Sequence, residues 1–318
     1  MSAADATPPF LSLITPCLNA RGYIAEMLAS VRAQSGVAFE HIVLDAGSTD
    51  GTRELLASCR DIRLVAEPDA GSHDAMNKGI RLARGEVIAF INTDDLYAPG
   101  ILAAVAERFA AEPALEALLG RSYLFAEEAG SWRVTATYPL GRRDGFDLAE
   151  LMYGIPCINA RFFRRRVFER AGVFDNDFSF AADRHFLLRL ALLRPRGAVL
   201  HRPAYFYRRH GASRTLDSAQ RNAAALDREH VAIADALLAT PQEPRDRRAL
   251  EAWRAYERAR GALRGAGPAA ALIGAMRAGE AAALLHGLAA KLAVIGHRRT
   301  AAVVPYPSVY PLPPPIAR

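Results

Sequence analysis

"VIAFINTDDLYAPG", Val87 to Gly100, decides how this chain is read. Five apolar residues run in a row and, after Asn92 and Thr93, meet two adjacent carboxylates, Asp94 and Asp95. Like charges that close repel, and each resists leaving water. A short apolar run bounded by polar residues reads as a buried strand. Such a strand delivers its acids either to a solvated turn, where Asp94 caps a helix beginning after Pro99, or to a site that holds a cation.

Working outward from Val87, the run proves to be the fourth of a series. "LSLIT" (Leu11 to Thr15), "HIVLD" (His41 to Asp45) and "IRLVAE" precede it as strands. Between them lie helical patterns: Ile24, Met27, Leu28 and Val31 share one face with Asn19 as N-cap, a second helix lies near "TRELLASC", and "SHDAMNKGIRLARG" runs from Ser72 as cap to Gly85 as terminator. The β-α-β-α-β-α-β order predicts a mostly parallel sheet flanked by helices, an α/β fold with right-handed crossovers. Thr15, Asp45, Glu67 with Asp69, and Asp94 with Asp95 then fall at the carboxyl ends of their strands. In open α/β sheets that edge is where ligands bind.

Composition narrows the class. The 318 residues are 51% hydrophobic and 23% charged, as in a globular protein of one or two domains. The start, "MSAADATPPF", has neither basic n-region nor apolar h-region, so no signal peptide is expected, and no run approaches the roughly 18 apolar residues of a spanning helix. Cys17, Cys59 and Cys157 lack metal-site spacing, which predicts reduced thiols and a cytoplasmic location. From Pro241 onward 12 Lys and Arg face 5 Asp and Glu, an excess of 7 in a chain of net charge +6. The basic character therefore sits on a C-terminal arm. That argues against a nucleic-acid partner and for an anionic membrane surface touched peripherally.

Beyond Ala117 the pattern is less regular: an apolar strand "ALLGRSYLF", a loop-rich stretch holding Trp132, a basic helix "RRRVFERAG", a helix "DFSFAADRHFLLRLALL" with Asp183 near its start, and "AYFYRRHGASRT", a strand running into a polar loop. After Leu216 the chain is Ala/Arg/Leu-rich and helical, broken at "TPQEP" and "GAGP", and it ends in "VVPYPSVYPLPPPIAR", an extended proline-rich tail.

Four pieces, "ITPCLNARGYIAEMLASVRAQ", "HIVLDAGSTDGT", "EPDAGSHDAMNKGI" and "INTDDLYAPG", stand in an order and spacing that resembles the nucleotide-sugar glycosyltransferases of family 2, with the GT-A (Rossmann-like) fold. "AADRHFLLRL" and "YRRHGAS" extend the resemblance over residues 9 to 215. It implies a catalytic domain over 1–215 (nucleotide half 9–115, acceptor half 116–215), a helical extension over 216–300 and the tail over 301–318. It also implies an inverting, metal-dependent transferase of hexosyl type that moves a sugar from a nucleotide-diphosphate donor, UDP being the commonest, to a hydroxyl on a glycan or lipid-linked glycan. Capsule, lipopolysaccharide or polysaccharide assembly is the usual setting.

By the same resemblance Asp94 faces the ribose, while Asp95 ligates Mn2+ or Mg2+. Such a hard cation is typically held by one or two carboxylates plus phosphate oxygens. Thr15 and Asp45 line the base and ribose pocket, with Asp45 as a turn residue the alternative. Lys78 approaches the pyrophosphate or base, or is simply an exposed helical lysine. Asp69 and Asp74 contact the donor sugar or cap the helix. Asp183 is the general base, or else a residue that favours a helix N-terminus. His210 completes the metal shell or is structural, and Arg208, Arg209 and Arg214 add phosphate contacts. One departure stands out: Ile158-Asn159 occupies the place where many relatives carry His-Gln. The arm carries Trp253, Tyr256 and apolar faces beside arginines, which suits either an anionic interface or core packing and a homodimer contact.

Competing classes lack their marks. A dehydrogenase wants G-x-G-x-x-G at the first strand-helix turn, which here reads "TPCLNARG", and a pyrophosphorylase wants a glycine-rich phosphate loop there. An aspartyl-phosphate phosphatase wants its acids after the first strand. The remaining rival is a non-catalytic sugar- or nucleotide-binding module, which needs neither metal nor Asp183.

Overall fold

The structure, a computed structural model, describes residues 8–128, 131–138, 144–210 and 222–300. Arg214, the expected boundary at residue 215 and the tail over 301–318 lie outside the described residues. In chain order the first half contains β1 (Leu11–Cys17), α1 (Ile24–Arg32), β2 (Phe39–Asp45), α2 (Thr52–Ala57), β3 (Arg63–Ala66), α3 (Ser72–Leu82), β4 (Val87–Phe90), β5 (Leu96–Tyr97) and α4 (Ile101–Ala111). Then come β6 (Ala117–Glu128), β7 (Ser131–Tyr138), α5 (Leu148–Tyr153), β8 (Arg161–Arg164), α6 (Arg166–Ala171), α7 (Ala182–Leu192), β9 (Gly197–Arg208), α8 (Ala223–Leu238), α9 (Pro244–Arg277) and α10 (Ala281–Thr300).

Among the described residues one nine-stranded sheet runs β3-β2-β1-β4-β8-β6-β9-β5, with β7 on β6. The first four strands are parallel, as the alternation predicted; β8 then pairs antiparallel with both β4 and β6, while β9 lies parallel to β6. The two-residue strand β5 pairs antiparallel with the end of β9, Leu96 opposite Phe206 and Tyr97 opposite Tyr205. That pairing sets the end of the acidic loop directly against β9.

Side chains alternate across the sheet. Leu11, Leu13 and Val43 meet α1 and α4 on one face; Ile14, Ile42, Leu44 and Phe90 meet α3, α6 and α7 on the other. Two glycines bring α3 and its exit onto β1. A Cβ on Gly79 would lie 2.3 Å from Ile14 Cγ2, and one on Gly85 would lie 2.5 Å from the Ser12 backbone nitrogen. Gly85 thus serves close approach rather than helix termination, since α3 already ends at Leu82.

The core of the second face continues into the C-terminal helices. Ile233, Ala234, Leu237, Leu250, fully buried Trp253 and Val294 join the same cluster as Phe186 and Leu187. Three local expectations are corrected. Asn19 does not cap α1, which starts at Ile24 after a turn; its Oδ1 accepts from Thr49 N–H at 2.9 Å instead. Ser72 does not cap α3, whose N-cap is Gly71; Asp74, in the first turn, accepts from Ala70 N–H at 3.1 Å. Trp132 lies on β7 rather than in a loop.

Candidate active site

The two adjacent acids part company. Asp95 is 1% exposed: its Oδ2 accepts from Tyr205 O–H at 2.5 Å and Asn92 Nδ2 at 3.1 Å, and its Oδ1 accepts from Arg208 N–H at 2.7 Å. Burial, with the neighbouring charge of Asp94, pushes its carboxyl well above the usual range. Asp94 turns the other way. Its Oδ2 lies 2.8 Å from His210 Nε2, and the His210 ring packs on Tyr23 with centroids 4.6 Å apart. Asp95, expected as the metal ligand, thus lies buried in this network. Its oxygens are committed to β9 and the loop, and Asp94 is the acid presented beside His210.

Arg208 ties this arrangement together. Its backbone N–H holds Asp95, its Nε donates to the Asp94 carbonyl at 2.8 Å, and its Nη2 lies 2.5 Å from Glu26 Oε2. The guanidinium sits over Phe125, Trp132 and Tyr23, with ring centroids 4.8, 5.0 and 5.2 Å away. A planar, always-charged group suits such stacking and multidentate bonding better than an ammonium. Arg208 was expected to meet phosphate; it is buried and positions the acidic loop instead.

Among the described residues no group of three or more His, Cys, Asp or Glu converges to hold a metal. The Asp94–His210 pair offers one carboxylate oxygen and one imidazole nitrogen at a common point. That donor set fits a divalent cation whose remaining positions come from phosphate oxygens and water.

The other expected residues distribute as follows. Thr15 is fully buried and its Oγ1 pairs with His41 Nε2 at 2.8 Å, so its side chain does not line the cleft. Burial drives the His41 imidazole down to about 4. Asp45 closes the β2–α2 turn: Oδ1 accepts from Ser48 O–H at 2.5 Å, and Oδ2 meets Arg53 Nε at 3.2 Å. The same buried edge pushes the Cys17 thiol up to about 12, chiefly by desolvation. Asp69 accepts from Gly71 N–H at 2.9 Å. Lys78 lies 2.5 Å from the Pro68 carbonyl and 3.2 Å from Glu67, so it braces the β3–α3 loop. Asn77 reaches across to Phe174, donating to its carbonyl at 2.8 Å and accepting from its N–H at 2.9 Å.

Asp183 occupies the first turn of α7, half-buried. Its Oδ1 accepts from Arg184 N–H at 2.7 Å, and Oδ2 has no hydrogen-bond partner among the described residues. Two devices fix this turn. Arg184 donates to the carbonyls of Leu151, Met152 and Gly154, which end α5. Glu229, from α8, accepts the N–H groups of Ser179, Phe180 and Ala181 at 2.9, 3.0 and 2.8 Å. Neither Glu229, Glu26 nor Tyr205 carried a sequence signal, because their contacts join elements remote along the chain.

Comparison with known proteins agrees with this architecture. A model of glycosyl transferase family 2 matches residues 12–172. An uncharacterized glycosyltransferase of Mycobacterium tuberculosis is 32% identical over 191 residues, 58% of this chain and 70% of that protein. A PGL/p-HBAD biosynthesis glycosyltransferase of Mycobacterium bovis is 31% identical over 188 residues, covering 57% and 69%. Among solved structures, Staphylococcus aureus TarS in complex with UDP superposes with a TM-score of 0.60 at 18% identity, over 80% of this chain and 73% of that one. The chain spans only 43% of a longer TarS structure. The mannosyltransferase PcManGT of Pyrobaculum calidifontis, in complex with GDP-Man and Mn2+, gives a TM-score of 0.56 at 22% identity, over 93% and 85%. The structural likenesses speak to the fold, GT-A, and the sequence matches to the lineage: the chain is a transferase that belongs to glycosyl transferase family 2.

Proposed function

We propose that this glycosyltransferase moves a sugar from a UDP-sugar to a hydroxyl of a glycan or lipid-linked glycan, with inversion, during assembly of a cell-envelope glycan. The observation that carries the reading is the Asp94–His210 pair. Two residues 116 positions apart meet at 2.8 Å on the carboxyl edge of the parallel strands, where α/β sheets take their ligands. The mycobacterial relative named for PGL/p-HBAD biosynthesis and the UDP-bound TarS structure support the setting and the nucleotide.

Asp94 Oδ2 and His210 Nε2 would hold the divalent ion. When bound, Mn2+ or Mg2+ supplies Lewis-acid neutralisation of the diphosphate leaving group. Asp45 shapes the β2–α2 turn against the nucleoside, with Thr15 and His41 packed beneath it. Asp69 and Lys78 hold the β3–α3 loop that borders the donor sugar. On the acceptor side Asp183 Oδ2 takes the hydroxyl proton as the oxygen bonds to the anomeric carbon and the bond from that carbon to the diphosphate breaks. General-base assistance is worth about 10²–10⁴ in rate, roughly 3–5 kcal/mol of barrier.

Calorimetric titration of UDP with and without Mn2+, combined with NMR of the product's anomeric configuration, tests the reading. Asp94→Asn should lose the metal-dependent part of UDP affinity. Asp183→Asn should bind UDP as the native chain does yet transfer no sugar. UDP binding that ignores both Mn2+ and Asp94, a retained configuration, or an Asp183→Asn variant within about tenfold of native turnover would overturn it.

A further inference from the structure

Ten large apolar side chains are exposed among the described residues, and seven of them lie between Leu263 and Leu292. They fall on two adjacent pieces. α9 breaks at Gly267, where φ is 85° and ψ 179°. Arg258 Nη1 donates to Glu280 Oε1 at 2.6 Å, joining the two ends of the stretch that holds the break. On it, Leu263, Leu272, Ile273 and Met276 are 47–64% exposed, and "GAGPAAALIGAM", residues 265–276, is uncharged between Arg264 and Arg277.

α10 follows, anchored by one face only. A Cβ on Gly287 would meet the Ala252 carbonyl at 2.4 Å, Lys291 Nζ donates to the Tyr153 carbonyl at 2.7 Å, and Val294 is buried. The opposite face presents Leu285, Leu288 and Leu292, at i, i+3 and i+7, a single stripe that is 68, 43 and 67% exposed.

Charge identifies the occupant. From Arg258 to Arg318 the sequence holds eight Lys and Arg against one acid, Glu280; Arg258, Arg260 and Arg264 pair with Glu280, Asp235, Asp227 and Glu257, and Arg277, beside the apolar stretch, is exposed. We infer that this apolar, basic surface docks on an anionic lipid bilayer, with residues 268–277 and the Leu285 stripe seated among the headgroups. Patches of this kind mark interaction sites, and an interfacial helix combines an apolar face with basic flanks. A second copy of the chain fits less well, because a two-fold contact here would set Arg277 and the net positive charge of this segment against themselves. The helices lie on the bilayer and do not cross it: no helix among the described residues is long and apolar enough to span one.

The test is flotation of the full chain with vesicles of phosphatidylcholine alone and of phosphatidylcholine mixed with phosphatidylglycerol. Two triple variants change only exposed positions: Leu285→Gln/Leu288→Gln/Leu292→Gln and Leu272→Gln/Ile273→Gln/Met276→Gln. The native chain should bind the anionic vesicles at least about tenfold better than the neutral ones, with salt weakening the interaction. Each triple variant, folded by circular dichroism, should lose about tenfold or more. Absence of vesicle binding, equal binding by native and variant chains, or a solution dimer that both variants dissolve would each overturn the inference.

Discussion

Replacing Arg208 with methionine tests whether the acidic loop is held from beneath by one buried cation. The Arg208–Glu26 pair has side-chain exposures of 3 and 6% at 2.5 Å. Removing one member of a buried pair strands the other charge and costs about 3–5 kcal/mol. Methionine fills the aromatic cage with a similar apolar volume, so the electrostatic part should dominate. Native domains carry roughly 5–15 kcal/mol in total, so Arg208→Met should fold while its urea midpoint falls steeply at an unchanged slope. Adding Glu26→Gln removes the stranded carboxylate and should return about 2 kcal/mol, making the double variant more stable than the single one. UDP–Mn2+ affinity should stay weak in both, because the Asp94 carbonyl has lost its Nε donor in each. A single-variant loss below about 1 kcal/mol, or a double variant less stable than the single, refutes the reasoning.

Glu229→Ala removes the acceptor for three N–H groups just ahead of Asp183. Half-exposed donors recover part of their bonding from water, so a stability loss of about 2–3 kcal/mol should accompany a fall in kcat with UDP affinity unchanged, and Glu229→Gln should recover part of both; an equal fall in UDP affinity would mark general loosening instead. His41 is held neutral by burial, with its imidazole lowered from 6.5 to about 4. Between those values the unfolded chain binds a proton that the folded chain refuses, so stability is complete above pH 6.5 and declines by about 3 kcal/mol as pH falls to 4. His41→Gln should flatten that part of the urea-midpoint profile, and an unchanged slope would locate the acid sensitivity elsewhere.

The parallel half of the sheet was legible because its signals are local. Apolar runs of strand length alternate with helical faces such as Ile24, Met27, Leu28 and Val31, and the strand ends carry acids. The second half was less so. β7, read as part of a loop-rich stretch, does carry the period-2 signal of a strand, Trp132, Val134, Ala136 and Tyr138 alternating with Ser131, Arg133, Thr135 and Thr137, but lies among turn-like segments and is fixed by its pairing with β6. The site followed the same divide. That Asp94 and Asp95 end a buried strand could be read from the sequence, but not which one is buried and which meets His210. The choice is made by β5 pairing with β9, which delivers Tyr205 O–H and Arg208 N–H to Asp95. Thr15 and Lys78 carry side chains that suit ligands, and each is taken by a neighbour no spacing rule reveals, His41 in one case and the Pro68 carbonyl in the other.

The two sides of the proposed reaction hang on different supports, and this bears on what the C-terminal helices are for. Asp94 and His210 are fastened to β9, to Glu26 of α1 and to the rings of Tyr23, Phe125 and Trp132. Asp183 is fastened through Glu229 to α8 and through Arg184 to α5. α5 in turn receives Lys291 from α10 at the Tyr153 carbonyl, and α8 is clamped to α9 by Arg260 and Arg264 on Asp227. The helices after residue 222 therefore share a core with α7 and also hold the turn that carries Asp183. A surface that docks α10 on a bilayer would act on the same framework one contact away, through Lys291 and the end of α5.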